Sequence, residues 1–176
     1  MLDSPVTGGV WGAQNASLRF FVGGDESAFT AQHDVYDALG RAIYIGSSGH
    51  GQIGKMVCQM IGSVEYAVAA EALAFAERTG ADAGRIAQVL GEQHVLHRML
   101  SLRDSGNFGD EGYTTQRGKD IAYAVEEAQR VGSEVPVTSA VKAVFDEAQQ
   151  QGLGSCDPLA LFQVWQRKHT QHDKDT

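Results

Sequence analysis

The stretch "IGSSGHGQIGKMVCQMIGSVEYAVAAEALAFAERTG", residues 45–80, decides the fold of this protein. Its first part spells G-x-G-x-x-G at Gly49, Gly51 and Gly54, the spacing that can hold a dinucleotide pyrophosphate. Its second part is rich in alanine and aliphatic residues, and it predicts one uninterrupted helix over about 52–79. The two parts raise the question of whether the glycines form a cofactor loop or only allow the helix to begin.

A dinucleotide-binding loop needs more than its glycines. It follows a strand, opens a helix and leads within about 20 residues to a second strand that ends in an acidic ribose ligand. The segment "RAIYIG" before Gly49 predicts the strand, and the long apolar run predicts the helix. After Gly54 the pattern stays helical, so no strand presents Glu71 or Glu77 to a ribose. We therefore interpret the glycines as residues that let a helix begin close to another part of the fold.

The chain divides into two parts with different sequence patterns. Residues 1–50 carry short apolar runs bounded by glycine, and the segment "DESAFTAQHDVYDALG" between two of them predicts one helix between strands. Residues 51–168 are helical throughout, with Thr138 as a candidate N-cap, and we expect 169–176 to be a frayed tail. The predicted fold class is mainly α, a helical bundle around one long buried helix with a small α/β part at the N-terminus.

Composition excludes several classes of function. The formal net charge of −8 argues against a nucleic-acid or anionic-membrane partner, and no apolar run predicts a membrane span. Cys58 and Cys156 are too few for a disulfide framework or a thiolate zinc site, so we expect a reducing, cytoplasmic location. Two histidine pairs have zinc-like spacing but lack a third ligand, so we predict no metal site. The pairs are His94 with His97 and His169 with His172.

Lys55 is the residue of the glycine segment with the clearest chemical potential. It falls in the first turn of the predicted helix, where its charge opposes the helix dipole and gives a reason for a lowered pKa. A lysine with a lowered pKa suits proton transfer near neutral pH. Gln59 lies one turn further on the same face, and Gly62 and Ser63 leave space above that face. The alternative is a lysine that simply extends into solvent.

Three segments in order and spacing carry a resemblance to a known family: "SPVTGGVWGAQNASLRFFVGGDESAF", "GHGQIGKMVCQMI" and "GKDIAYAVEEAQRVGSEVPVTSAV". They resemble the β-hydroxyacid dehydrogenases, which include 3-hydroxyisobutyrate dehydrogenase, tartronate semialdehyde reductase and, more distantly, 6-phosphogluconate dehydrogenase. The resemblance covers about 3–165. It implies an NAD(P)-dependent oxidoreductase that transfers hydride between nicotinamide and a small β-hydroxy acid.

The resemblance also implies roles for individual residues. The hydroxyl of Thr7, where the family usually has serine, and the amides around Gly8 and Gly9 would bind the substrate carboxylate, a task that suits donors in a flexible backbone. Lys55 matches the catalytic lysine, which takes the hydroxyl proton as hydride leaves the same carbon. These assignments place substrate binding and catalysis within this chain.

Later positions match the family less uniformly. Lys119, in "GKD", matches a lysine near the nicotinamide and the substrate, and we expect Asp120 beside it to shape the start of a helix. After the catalytic lysine the family commonly writes K-x-x-N-N or K-x-x-N-Q, whereas this chain has "KMVCQ". Cys58 therefore replaces the first asparagine, and Gln59 can still offer an amide that orients the substrate.

The family begins with a complete dinucleotide-binding domain, whereas this chain resembles only the end of such a Rossmann domain joined to the entire helical domain. We therefore expect NAD or NADP to serve the complete enzyme and not to bind tightly to this chain alone. The predicted partners are a small hydroxy acid and a second copy of the chain, joined through the long helix as a homodimer or higher oligomer. The alternative is a truncated, non-catalytic module for dimerisation or for binding small acids.

Overall fold

A computed structural model describes residues 1–109 and 113–175 of the chain. The protein forms two compact units, Met1–Cys58 and Gln59–Thr176, and the boundary falls within a long helix. Helices dominate the described residues, and the only strands among them belong to one small sheet near the N-terminus. The predicted fold class, mainly α with a small α/β part, is confirmed.

The sheet of the N-terminal unit is built around its third strand. This strand pairs antiparallel with the first two strands along one edge and parallel with the fourth along the other. The parallel register runs from Leu18 opposite Gly40 to Gly23 opposite Gly46, with a shift at Gly23. Both long strands confirm the prediction from "SLRFFVGG" and "RAIYIG". The strands are β1 (Leu2–Asp3), β2 (Val6–Thr7), β3 (Leu18–Gly24) and β4 (Gly40–Gly46).

Three short helices connect these strands, and the prediction of one helix between β3 and β4 was wrong. The segment contains two helices that meet at Gln32, whose N–H donates to the carbonyl of Phe29 three residues earlier. Asp25 caps the first of them by accepting from the N–H of Ala28 at 2.8 Å. A third helix, before β3, was not predicted. The helices are α1 (Gly9–Gln14), α2 (Glu26–Ala31) and α3 (His33–Leu39).

The long helix α4 (His50–Thr79) begins two residues earlier than predicted. In the C-terminal unit its buried face carries small residues and Leu73, which joins the core. Another face exposes Ile61, Val68 and Phe75, with 58%, 56% and 71% of their surfaces accessible. In the single chain, the predicted burial of this helix therefore applies to one face of α4.

The remaining helices pack against this part of α4 around a core that includes Met99, Ile121 and Phe145. One predicted cap was wrong. Thr138 is a buried residue inside its helix, because Pro136 already occupies the first helical position and Val135 the cap. The elements are α5 (Ala83–Leu90), α6 (Val95–Ser105), α7 (Tyr113–Val131), α8 (Pro136–Gln150), a 3-10 turn (Pro158–Leu161) and α9 (Phe162–Asp175).

Membrane spans and metal clusters were sought among the described residues. None of the helices found there combines the length and the apolarity that crossing a bilayer requires. In the same residues no group of three histidine, cysteine, aspartate or glutamate side chains could hold a metal ion. His94 instead caps α6, because its Nδ1 accepts from the N–H of Leu96 at 3.2 Å. Residues 110–112 and the side chains of the second histidine pair, His169 and His172, lie outside the described residues.

Candidate functional site

The amides of the glycine loop bind a carboxylate of the protein itself. The N–H of Gly49 donates to Oδ1 of Asp3 at 2.8 Å, and the N–H of Gln52 donates to Oδ2 at 3.0 Å. Burial raises the pKa of Asp3, but the hydrogen bonds from Gly49, Gln52 and Gly51 outweigh it and hold the pKa below its ordinary value. The start of α4, where a pyrophosphate would lie in a Rossmann unit, is therefore capped by Asp3.

Two of the three glycines permit a close approach of α4 to the sheet. A Cβ at Gly51 would lie 2.5 Å from the carbonyl oxygens of both Asp3 and Phe21, which is closer than real Cβ atoms come. A Cβ at Gly54 would lie 3.0 Å from the Phe21 ring. No strand follows β4 in the part of the chain that the structure describes. The interpretation that the glycines let a helix begin close to another part of the fold is confirmed for Gly51 and Gly54, and the amides of Gly49 and Gln52 are bonded to Asp3.

The segment predicted to bind the substrate carboxylate forms the junction between β2 and α1. Thr7 ends β2 opposite Arg19 of β3 and is half-buried. Gly8 and Gly9 follow with φ angles of 127° and 61°, which side chains other than glycine rarely adopt. Both glycines are exposed, and the neighbouring Thr7 carries a hydroxyl group.

Lys55 lies in the second turn of α4 and not in the first, because the helix begins at His50. Its side chain is half-buried and makes an interaction within the protein. Gln59 follows four residues later, so both side chains project from the same face of α4. The lowered pKa expected for Lys55 stays a prediction.

Gln59 is held at both ends of its side-chain amide by residues of α7. Its Nε2 donates to Oδ2 of Asp120 at 2.5 Å, and its Oε1 accepts from Nη1 of Arg117 at 3.1 Å. The expectation that Asp120 shapes a helix start was wrong, because α7 begins at Tyr113 and Asp120 lies well inside it. A glutamine bonded in this way has a fixed amide instead of a freely rotating one.

Arg117 was missed by the sequence analysis. The helix start expected at Asp120 excluded it, although its spacing of three from Asp120 places both on one face of the longer helix that is present. Lys119 projects elsewhere. It is exposed, and its Nζ lies 5.5 Å from the centre of the Tyr123 ring. Of the two basic residues, it is therefore Arg117 that contacts Gln59.

Comparison with known sequences identifies the family to which this arrangement belongs. The profile described as "NAD-binding of NADP-dependent 3-hydroxyisobutyrate dehydrogenase" matches residues 49–165, more than half of the chain. The chain belongs to the β-hydroxyacid dehydrogenase family. A second profile, the NAD binding domain of 6-phosphogluconate dehydrogenase, matches residues 1–62. The resemblance predicted from three short segments is confirmed.

Several β-hydroxyacid dehydrogenase relatives match over nearly the whole chain. An uncharacterised oxidoreductase of Bacillus subtilis, YkwC, is 32% identical over 93% of this chain and 59% of its own length. The 2-hydroxy-3-oxopropionate reductase of Escherichia coli is 30% identical over 93% of this chain and 58% of its own length. A crystal structure of 3-hydroxyisobutyrate dehydrogenase from Salmonella typhimurium superimposes with a TM-score of 0.82 at 26% identity, covering 93% of this chain and 60% of that one. The chain thus spans about six tenths of the length of these three proteins.

Proposed function

We propose that this chain is the substrate-binding and catalytic C-terminal part of an NAD(P)-dependent dehydrogenase similar to 3-hydroxyisobutyrate dehydrogenase. The reaction is hydride transfer between nicotinamide and a small β-hydroxy acid. The observation that carries the proposal is the fixed amide of Gln59, one helical turn from Lys55 on the same face of α4. Membership of the family supports the reaction class.

Lys55 is the proposed acid/base of the reaction. In the oxidative direction its Nζ takes the proton of the substrate hydroxyl, and in the reductive direction it returns that proton to the oxygen. A positioned acid/base of this kind contributes about 100- to 10,000-fold to the rate. Gln59 would orient the substrate beside it through its amide.

The other proposed contacts divide between substrate and cofactor. The Thr7 hydroxyl and the amides around Gly8 and Gly9 would bind the substrate carboxylate, since both glycines are exposed and adopt positive φ angles after β2. Lys119, exposed on α7, would lie near the nicotinamide. The two free cysteines, Cys58 and Cys156, fit the proposed reducing, cytoplasmic location.

The deciding experiment replaces Lys55 with alanine in the complete dehydrogenase, in which this chain is joined to a full nucleotide-binding domain. We expect kcat to fall by about 100- to 10,000-fold, with a much smaller change in KM. Lys142→Ala serves as the matched control, because Lys142 bonds Asp146 on α8 and has no proposed role in catalysis. A Lys55→Ala enzyme with the turnover of the unmodified protein would show that Lys55 is not the acid/base.

The cofactor prediction can be tested on this chain by itself. Asp3 accepts from the amides of Gly49 and Gln52, so these two donors of the glycine loop are already bonded to a carboxylate of the protein. We expect the isolated chain to show no dehydrogenase activity and no tight binding of NAD(H) or NADP(H). Isothermal titration calorimetry measures the binding, and a dissociation constant in the micromolar range would contradict the prediction.

A non-catalytic module for dimerisation or small-acid binding is the second candidate, and one observation favours its dimerisation part. A groove of about 440 Å³ between α4, α5 and α6 is lined almost entirely by apolar side chains. Val68 and Phe75 of α4 lie in its wall and are more than half exposed. We propose that a second copy of the chain covers this surface as a homodimer or higher oligomer.

Light scattering at micromolar concentration tests this assembly. For a dimer, the molar mass measured by light scattering should be twice the chain mass of 18.9 kDa. Phe75→Asp should lower the measured mass towards that of the monomer. A mass of 18.9 kDa that persists on tenfold concentration would contradict the proposed assembly. Dimers that form without any dehydrogenase activity in the complete protein would favour the non-catalytic alternative.

A further inference from the structure

We propose that Arg117 is a positioning residue which, together with Asp120, fixes the direction in which the amide of Gln59 faces. The inference rests on the proposed role of Gln59 in substrate binding and deepens it. No motif of the sequence analysis pointed to Arg117. We infer its positioning role from the contacts that the guanidinium of Arg117 makes with one face of α4.

Four residues of α4 surround the end of the Arg117 side chain. Tyr66 lies beneath the guanidinium, whose carbon is 4.9 Å from the ring centre, a cation–π distance. Ser63 is fully buried, and its hydroxyl oxygen is 3.5 Å from Nη1. A Cβ at Gly62 would come within 3.2 Å of the same nitrogen, so glycine leaves the room that Arg117 occupies. Gln59 is the fourth of these residues, and its Oε1 accepts a hydrogen bond from Arg117.

The charges on the two partners determine the orientation of the amide. Arg117 can only donate hydrogen bonds, whereas ionised Asp120 can only accept them. With Oε1 towards Arg117 and Nε2 towards Asp120, both contacts of Gln59 are satisfied. Rotation of the amide by half a turn would place its NH₂ against the guanidinium and its oxygen against the carboxylate. Only one of the two amide orientations is therefore compatible with α7.

A fixed amide has a defined capacity for a ligand. One N–H of Gln59 donates to Asp120, and the second has no partner among the described contacts, so we assign it to a substrate oxygen on the Nε2 side. A hydroxyl or carboxylate oxygen fits this donor. Because the amide is held before the substrate arrives, its ordering does not reduce the affinity. Loss of Arg117 should consequently weaken substrate binding through Gln59 without removing a group that touches the substrate.

Amide NMR of this chain, labelled with ¹⁵N in glutamine side chains, tests the orientation without reference to activity. The Gln59 signals are identified by their absence from Gln59→Leu. We expect one Nε2 proton to exchange slowly with solvent, because it is bonded to Asp120, and Arg117→Met to speed that exchange about tenfold. The matched control is Arg130→Met, since Arg130 lies on the same helix and bonds only the surface carboxylate of Glu127 in the described contacts.

Kinetics of the complete dehydrogenase provide the second measurement. Arg117→Met should raise KM about tenfold and lower kcat much less, on the scale of one charge-assisted hydrogen bond. Arg117→Lys should recover part of the loss, because lysine can still donate to Oε1 of Gln59. If Arg117→Met fails to fold by circular dichroism, Arg117→Lys carries both tests, with a smaller expected change in exchange and KM.

The two measurements separate this inference from the proposed function. Unchanged Gln59 exchange and unchanged KM in the Arg117 variants would overturn the positioning role of Arg117. If exchange changes as expected but Gln59→Ala leaves KM unaltered, the positioning role stands and the proposed substrate contact of Gln59 fails. An effect of Arg130→Met equal to that of Arg117→Met would also overturn the inference, because it would indicate a general change in α7.

Discussion

A methyl group at Gly51 would collide with two strands of the sheet, and Gly51→Ala therefore tests the packing role of the glycine loop. The added Cβ would lie 2.5 Å from the carbonyl oxygens of Asp3 in β1 and Phe21 in β3, where ordinary contact begins at 3.4 Å. Both obstacles are backbone atoms, which cannot rotate away as a side chain does. The first turn of α4 must therefore move away from the sheet.

The expected magnitude combines two opposing effects. Overpacking of this kind costs about 1–3 kcal/mol in the free energy of unfolding. Alanine in place of glycine inside a helix returns about 1 kcal/mol through its higher helix propensity. Because the displacement also strains the hydrogen bonds from Gly49 and Gln52 to Asp3, we place the net loss at about 1–2 kcal/mol.

Urea unfolding followed by circular dichroism measures this loss, and hydrogen exchange localises it to the start of α4. With a typical m-value of about 2 kcal/mol/M, the midpoint should fall by about 0.5–1 M. Gly54→Ala is the matched control, because its Cβ would meet only the side chain of Phe21, which can yield. If Gly51→Ala proves as stable as the unmodified protein, with unchanged exchange at Gln52, the proposed collision is refuted.

The other predictions concern pH, a buried hydroxyl and substrate affinity. The folded pKa of Asp3 is lowered, so its ionised form contributes stability above the unfolded value of 3.8 that is lost as pH falls, and Asp3→Asn should flatten the acid limb of stability measured by urea unfolding below about pH 5. Thr114→Val removes a buried hydrogen bond to the carbonyl of Cys156 and should lower the free energy of unfolding, measured with urea, by about 1 kcal/mol, because the Thr114 N–H still donates to that carbonyl. Gln59→Ala and Thr7→Ala should raise KM in steady-state assays of the complete dehydrogenase more than they lower kcat, and an effect on kcat alone would contradict ground-state substrate contact.

Local patterns were sufficient for the elements that depend on local sequence. The strands β3 and β4 and the helix α4 follow from apolar runs, glycine boundaries and helix propensity, and all three are present. The sequence also indicated that the glycine loop does not lead to a further strand, and no strand follows β4 in the described residues.

Elements that depend on distant contacts were missed or misplaced. The first turn of α7 carries polar residues without apolar spacing, and it is held by the N–H groups of Thr114 and Thr115, which donate to the carbonyls of Cys156 and Gly154. No local pattern reports such bonds, so the predicted helix began late and Arg117 was excluded. The cap that Asp3 forms on α4 was not predicted for the same reason, because its hydrogen-bond partners lie 46 and 49 residues away in sequence.

The cap that Asp3 places on α4 has a consequence for the order of folding. Closing a loop of 46 residues costs chain entropy, whereas the turns of α4 form from neighbouring residues. We expect this contact to form after the transition state, so that Asp3→Asn speeds unfolding and leaves the folding rate unchanged. On the ribosome, at about 5–20 residues per second, β1 would wait about 2–9 seconds for its partners on α4. The Asp3 carboxylate, made among the first residues, therefore binds its amides late, although the backbone of β1 can already pair with β3.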